Sequence, residues 1–202
     1  MDKQQQLDSI EQDIINDQAG ADLAESANQL VFGAGNPDAD IVLIGEAPGK
    51  KEDEQGEPFV GAAGKFLNEM LASIELERDD IYITNIVKYR PIDNRDPLPE
   101  EIEVFMPYLL RQVDVIEPKI IITLGHFSMN VFLPGVKISQ VHGRPKRLKG
   151  RVFLPLYHPA AALYNGGMRE TLMQDFATIP KIIQQIDNDN LKHERNKDVT
   201  EQ

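Results

Sequence analysis

The chain contains no cysteine in its 202 residues. It therefore carries no disulfide, no thiolate-bound metal and no thiol nucleophile. It also lacks an apolar run of transmembrane length and a signal-peptide pattern at its polar amino terminus, so it reads as a cytoplasmic protein with no membrane partner. No internal repeat and no low-complexity tract interrupts it. Positive charge is scarce: 21 Lys and Arg stand against 33 Asp and Glu, a formal net charge of -12. That balance argues at first sight against a polyanionic partner. The length most simply makes one domain, large enough to bury a full core.

The few cations are not spread evenly. Lys137, Arg144, Lys146, Arg147, Lys149 and Arg151 follow one another with no acid among them, and Lys88, Arg90 and Arg95 come after a predicted strand. Screening confines charge effects to roughly 8 Å at physiological salt, so a local basic strip can meet phosphates even on an acidic protein. The plainer reading of such a strip is a solvated loop.

Hydrophobic patterning predicts strands alternating with helices. The central stretch is Ile41-Val-Leu-Ile-Gly-Glu-Ala-Pro-Gly49, a buried strand running into a tight loop. Further strands are predicted over 81–87, 119–124 and 151–157, with Pro155 marking an edge position or an early strand end. Helices are expected over about 65–74, 99–116 and 169–186, the last bent at Pro180. Residues 3–29 are polar with a narrow stripe of Leu7, Ile10, Ile14 and Ile15. This pattern predicts an α/β fold of three layers, α/β/α, around a mostly parallel four-stranded sheet. Residues 1–30 form a helical arm packed on a domain of residues 31–187, and 188–202 read as a polar, disordered tail.

Three loops after predicted strands carry unusual chemistry. The first holds Glu46, the one ionisable side chain between Gly45 and Gly49, and later the apolar Pro58-Phe59-Val60. The second begins at Asn85, whose amide donates and accepts hydrogen bonds, as a base edge requires. The third is Tyr157-His-Pro-Ala-Ala-Ala-Leu163. Alone, His158 is more often structural than catalytic. A carboxylate, an aromatic, an amide and a histidine, each just past a strand, are together hard to explain as packing, because the carboxyl ends of strands are where open α/β sheets bind ligands.

The chain resembles the family 4 uracil-DNA glycosylases. The matching stretches are Gly45-Glu-Ala-Pro-Gly49, Gln55-Gly-Glu-Pro-Phe-Val-Gly61, Tyr82-Ile-Thr-Asn-Ile-Val-Lys88, Asn94-Arg-Asp-Pro97 and His158-Pro-Ala-Ala161. They stand in the family's order and spacing over about residues 31–183. The resemblance implies an enzyme of DNA repair that flips uracil out of DNA and hydrolyses the bond from N1 to the sugar. It implies Glu46 and His158 as catalytic residues and Gly45, Ala47, Phe59 and Asn85 as substrate-binding residues. For contacts to DNA it implies Pro48, Gly49, Pro159 and Ala160, with Leu163 or Tyr164 replacing the flipped base. To these the basic residues Lys88, Arg144, Lys146 and Arg147 are added. The partner is DNA containing uracil, met by a monomer.

One departure concerns the cofactor. Members of this family usually hold a four-iron cluster on four cysteines, which correspond approximately to Gln18, Ala21, Tyr89 and Phe105. Cluster ligation needs thiolates, so no metal or other cofactor is expected. Tyr89 and Phe105 suggest apolar packing in its place. Two rival readings stand beside the enzyme: a non-catalytic glycosylase-fold protein that binds DNA or protein, and a nucleotide-binding α/β protein. The second lacks a full P-loop or Gly-x-Gly-x-x-Gly fingerprint after the first strand.

Overall fold

In the computed structural model, the backbone is described for residues 1–200 and the side chains for residues 1–191. The helices are α1 (Lys3–Asn16), α2 (Ala21–Ala24), α3 (Lys50–Gln55), α4 (Ala62–Ala72), α5 (Pro99–Ile116), α6 (His126–Phe132), α7 (Ile138–Val141), α8 (Gly166–Phe176) and α9 (Ile179–Thr200). The strands are β1 (Ala34–Gly35), β2 (Ile41–Gly45), β3 (Tyr82–Asn85), β4 (Ile120–Leu124), β5 (Lys146–Leu148) and β6 (Arg151–Leu156).

Among the described residues the sheet has six strands in the order β1-β3-β2-β4-β6-β5, not the expected four. The four predicted strands form its parallel centre; β1 and β5 are short antiparallel strands at the two edges. Both were missed because two or three residues of exposed, polar or glycine-containing chain carry no hydrophobic period. Pro155 sits beyond the three-residue ladder of β5, so its missing N–H costs no pairing on that side.

Alternation along each central strand feeds two cores. Ile41 and Leu43 face α4, α8 and α9 together with Ile81, Ile83, Ile120 and Ile122. Val42 and Ile44 face α1 and α5 together with Tyr82, Ile121 and Phe153. Strands buried on both faces are what a parallel sheet covered by helices requires.

Three boundaries differ from expectation. The first core helix starts at Ala62 rather than 65, because Gly61 is its cap. The predicted helix over 169–186 is two helices that part at residues 177–178, with Pro180 in the first turn of α9, where a proline costs no hydrogen bond. Helix α9 then continues to Thr200 through the stretch expected to be a disordered tail, of which residues 201–202 lie outside the described residues. Among the described residues no helix is long and apolar enough to cross a membrane.

The amino-terminal arm is held by α5. Leu7, Ile10 and Ile14 are buried, whereas Ile15 of the expected stripe is 47% exposed. Arg111 pairs with Asp13 at 2.6 Å, and the Tyr108 hydroxyl donates to Asp17 at 2.7 Å. Buried Asp53 on α3 accepts from the Asn28 amide and side chain, which fastens the arm's end beside the first loop.

Of the four positions that the resemblance aligns with cluster cysteines, Tyr89 and Phe105 meet, and Phe105 also reaches the turn at Gly20. Phe105 is fully buried and meets the half-buried Tyr89 edge-on at 6.1 Å. Its ring tip lies 2.4 Å from where a Cβ on Gly20 would stand, between Gln18 and Ala21. With no sulfur donor and an aromatic ring filling the space, these residues do not fit an iron–sulfur cluster. Phe105→Ala is expected to lower unfolding stability by about 3 to 5 kcal/mol, measured by denaturant titration. An unchanged midpoint would show that this ring does not fasten the arm.

Candidate active site

The parallel register of β2 and β3 brings Gly45 opposite Asn85. The pairing runs one step past both strands, since the amides of Ile86 and Val87 donate to the carbonyls of Gly45 and Glu46 at 3.1 and 3.0 Å. Glu46 and Asn85 are thus neighbours by sheet geometry. Strand β6 ends two residues before His158, and the Gly125 amide at the end of β4 donates to Leu156. Together with the Phe59 loop, these strand ends surround a cleft of about 370 Å³ lined by Glu46, Ala47, Pro48, Gly49, Phe59, Asn85, His158 and Ala160.

Glycine at position 45 is a steric requirement. A Cβ there would stand 2.3 Å from Asn85 Oδ1 and 2.7 Å from the Phe59 ring. The absent side chain leaves room for both groups at one point of the cleft. Asn85 is 2% exposed, and its Oδ1 has no hydrogen-bond partner among the described residues. Thr123 Oγ1 is the other such atom. A buried, unpaired acceptor costs about 1 to 3 kcal/mol, which a ligand's N–H would recover.

His158 is fixed in one protonation form. Its Nδ1 accepts from the Ala160 amide at 3.2 Å, and burial pulls its pKa down to about 4, against a smaller opposing effect of Glu52. At neutral pH the ring is uncharged, and with Nδ1 occupied as acceptor its proton is on Nε2, a donor free to face the cleft. The ring lies against Phe59, with centroids 5.6 Å apart and planes at 29°. Glu46 moves the other way: burial, and then the nearby Asp96, push its pKa up to about 7. At pH 7 it is therefore close to half ionised.

The remaining expected contact residues divide. Buried Pro48 and half-buried Gly49 border the cleft, and Gly49 caps α3. Pro159 opens a 3-10 turn, Pro159–Leu163, whose outer end carries Leu163 at 40% exposure and Tyr164 at 92%. Lys88 is a correction. It is fully buried, and its Nζ donates to Thr84 Oγ1 at 2.5 Å, Gln112 Oε1 at 2.6 Å and the Phe32 carbonyl at 3.2 Å. Burial lowers its pKa well below the ordinary lysine value. It braces the chain behind Asn85 and has no access to DNA. Arg144, Lys146 and Arg147 are exposed but do not line the cleft: they run away from it along the β5 edge, where Arg147 meets Asp189 at 3.7 Å. Sequence reasoning passed over Glu52 and Arg78, which hydrogen-bond the backbone of the Phe59 loop. Nothing in their spacing announces this.

Comparison with known proteins gives the family. Residues 32–179 match the family model described as the uracil DNA glycosylase superfamily. The chain belongs to that superfamily. Among its relatives, a type-4 uracil-DNA glycosylase of Archaeoglobus fulgidus is 46% identical over 87% of this chain and 92% of its own length. Those of Sulfurisphaera tokodaii and Saccharolobus solfataricus are 43% and 45% identical, covering 87% and 76% of this chain and 84% and 76% of their own lengths.

If Glu46 acts as a carboxylate, the sign of its shift fixes the pH dependence. Its ionised fraction rises with pH through about 7, while His158 stays neutral above about 4. Single-turnover cleavage should therefore climb about tenfold per pH unit below the midpoint and level off above it. Glu46→Gln should remove the climb. A flat profile for the parent between pH 5.5 and 8 would exclude the ionised carboxylate from the rate.

Proposed function

We propose that this chain is a type-4 uracil-DNA glycosylase, excising uracil from DNA by hydrolysing the bond between uracil N1 and the deoxyribose and leaving an abasic site. The unpaired, buried Asn85 Oδ1 beside Gly45 and Phe59 is the observation that carries the reading, because it offers an acceptor to uracil N3–H at the bottom of a cleft that also holds an aromatic face. The asparagine amide supplies the complementary donor to O4. The target carbon is inaccessible within a stacked duplex, so the nucleotide is extruded at a cost of a few kcal/mol.

Two opposite charges develop as the bond breaks. The leaving uracil becomes anionic, with charge at O2, and the neutral His158 ring offers its Nε2–H there. A neutral donor strengthens its bond as charge appears without attracting anions in the ground state. The sugar becomes cationic, and the Glu46 carboxylate opposes that charge, positions the attacking water, or both. Phe59 supplies a stacking face. Its 5.6 Å separation from the His158 ring is ordinary aromatic contact, so the base lies beside the imidazole rather than between the two rings. Gly45 and Ala47 border the base; Pro48, Gly49, Pro159 and Ala160 approach the flanking phosphates; and Leu163 or Tyr164 enters the gap in the stack.

The test is an oligonucleotide with one uracil, single- or double-stranded, followed by cleavage of abasic sites. His158→Ala is expected to lower the single-turnover rate by ~10² or more with affinity for DNA little changed, as for loss of a preorganised donor. A folded His158→Ala protein that cleaves normally would end the assignment.

The basic edge divides by distance from the cleft. The Gly143 amide donates to Pro155 near the end of β6, so Arg144 stands at the active-site end of the strip, whereas Arg147 pairs with Val152 farther down. Arg144→Ala should reduce the slope of log affinity against log salt by about 0.9, as for one lost phosphate contact, and Arg147→Ala by less. Equal slopes for parent and Arg144→Ala would place the phosphate track elsewhere.

A further inference from the structure

Phe59 is held in an unusual backbone conformation by two charged side chains that no step of the chemistry uses. Its φ is 55°, in the left-handed region that a bulky residue enters only at a cost. On one side, the Arg78 guanidinium donates from Nη2 to the Pro58 carbonyl at 2.6 Å and from Nη1 to the Phe59 carbonyl at 3.0 Å. On the other, Glu52 Oε1 accepts from the amides of Val60 and Gly61, both at 2.9 Å. The peptide joining Phe59 to Val60 is gripped at both ends, its oxygen by a cation and its N–H by an anion. Bonds of this kind are about twice as strong as neutral ones.

The surroundings also seat the loop against α4 and α3. A Cβ on Gly64 would fall 1.7 Å from the Phe59 carbonyl oxygen, so that oxygen is already seated against α4. Arg78 also reaches Asn68 Oδ1 on α4 at 3.3 Å. Glu52 belongs to α3, the helix capped by Gly49, and its Oε2 lies 2.9 Å from where a Gly49 Cβ would stand. One carboxylate therefore ties the loop that follows Glu46 to the loop that carries Phe59.

We propose that Glu52 and Arg78 are positioning residues, a clamp of opposite charges that fixes the Phe59 ring as a rigid stacking face for the extruded base and sets its distance from the Glu46 loop. The proposal rests on the uracil-excising function above. An aromatic face that must be ordered when the base arrives would charge that ordering against binding; a clamped one is ordered beforehand. Glu52 also borders the cleft near His158, and its negative charge opposes the burial that keeps that ring neutral.

Two readouts test it on the full chain. Amide hydrogen exchange at Val60 and Gly61 reports the clamp without reference to activity, and single-turnover cleavage of a uracil oligonucleotide reports its consequence. Glu52→Ala is expected to lose protection at both amides and to cleave about 10²-fold more slowly, the scale of a small misplacement in a reacting site. Glu52→Gln retains an acceptor oxygen and should recover most of the protection and most of the rate. Arg78→Lys keeps the charge without the planar fork and should lose rate as well, providing a second variant if Glu52→Ala does not fold. Protection retained in Glu52→Ala, or protection lost with the parent's rate intact, would overturn the clamp. If the parent itself does not cleave uracil-containing DNA, the functional reading fails, while the exchange pattern still decides whether Glu52 and Arg78 hold the loop.

Discussion

The site depends on one close approach: the Asn85 amide and the Phe59 ring both occupy the space that a side chain on residue 45 would take. The parallel register of β2 and β3 makes that approach possible by setting Gly45 beside Asn85. Everything else in the cleft is arranged around it. His158 comes in from β6 against the Phe59 ring, and Glu46 follows Gly45 on the same strand end. A slip of one residue in the register would turn every core side chain of β2 to the other face and move Glu46 off the cleft. The burial of Val42 and Ile44 on one face, and of Ile41 and Leu43 on the other, is thus what fixes the chemistry in place.

The electrostatics of the site follow from burial acting on two groups of opposite type. Removing water disfavours the charged form of each, which raises the carboxyl of Glu46 to about 7 and lowers the imidazole of His158 to about 4. The histidine is thereby kept as a neutral donor. The glutamate is poised, able to be a carboxylate at physiological pH without being strongly hydrated. Buried Lys88, beneath the same strand end, shows the same principle in a structural role: three oxygen acceptors hold its nitrogen where DNA cannot reach.

Much of this was legible in the residues. The apolar runs at 41–44 and 120–124 specify buried parallel strands, and the glycines and prolines after them specify loops. What was not legible has physical causes. Strand β5 exists because Lys149 and Gly150 both take positive φ in a two-residue turn, which allows a short exposed segment to fold back on β6. Lys88 follows a strand and resembles a surface cation; its burial is set by Thr84, Gln112 and the Phe32 carbonyl, the last two far away in sequence. Glu52 and Arg78 meet the Phe59 loop through its backbone groups, so no pairing of residue types within that loop points to them. The continuous basic strip was visible, but its direction along an edge strand was not.

The two edge strands have a consequence for how molecules of this protein meet one another. A parallel sheet with a long bare edge would present a row of free amides and carbonyls to any neighbouring chain, an invitation to edge-to-edge aggregation. Here one border is a two-residue strand containing glycine, and the other is three exposed residues, Lys146, Arg147 and Leu148, two of them cationic. A second copy approaching that border edge to edge would bring the same cations face to face. The borders thus present little free ladder, and the apolar β2 and β4 lie in the middle of the sheet with both their edges paired.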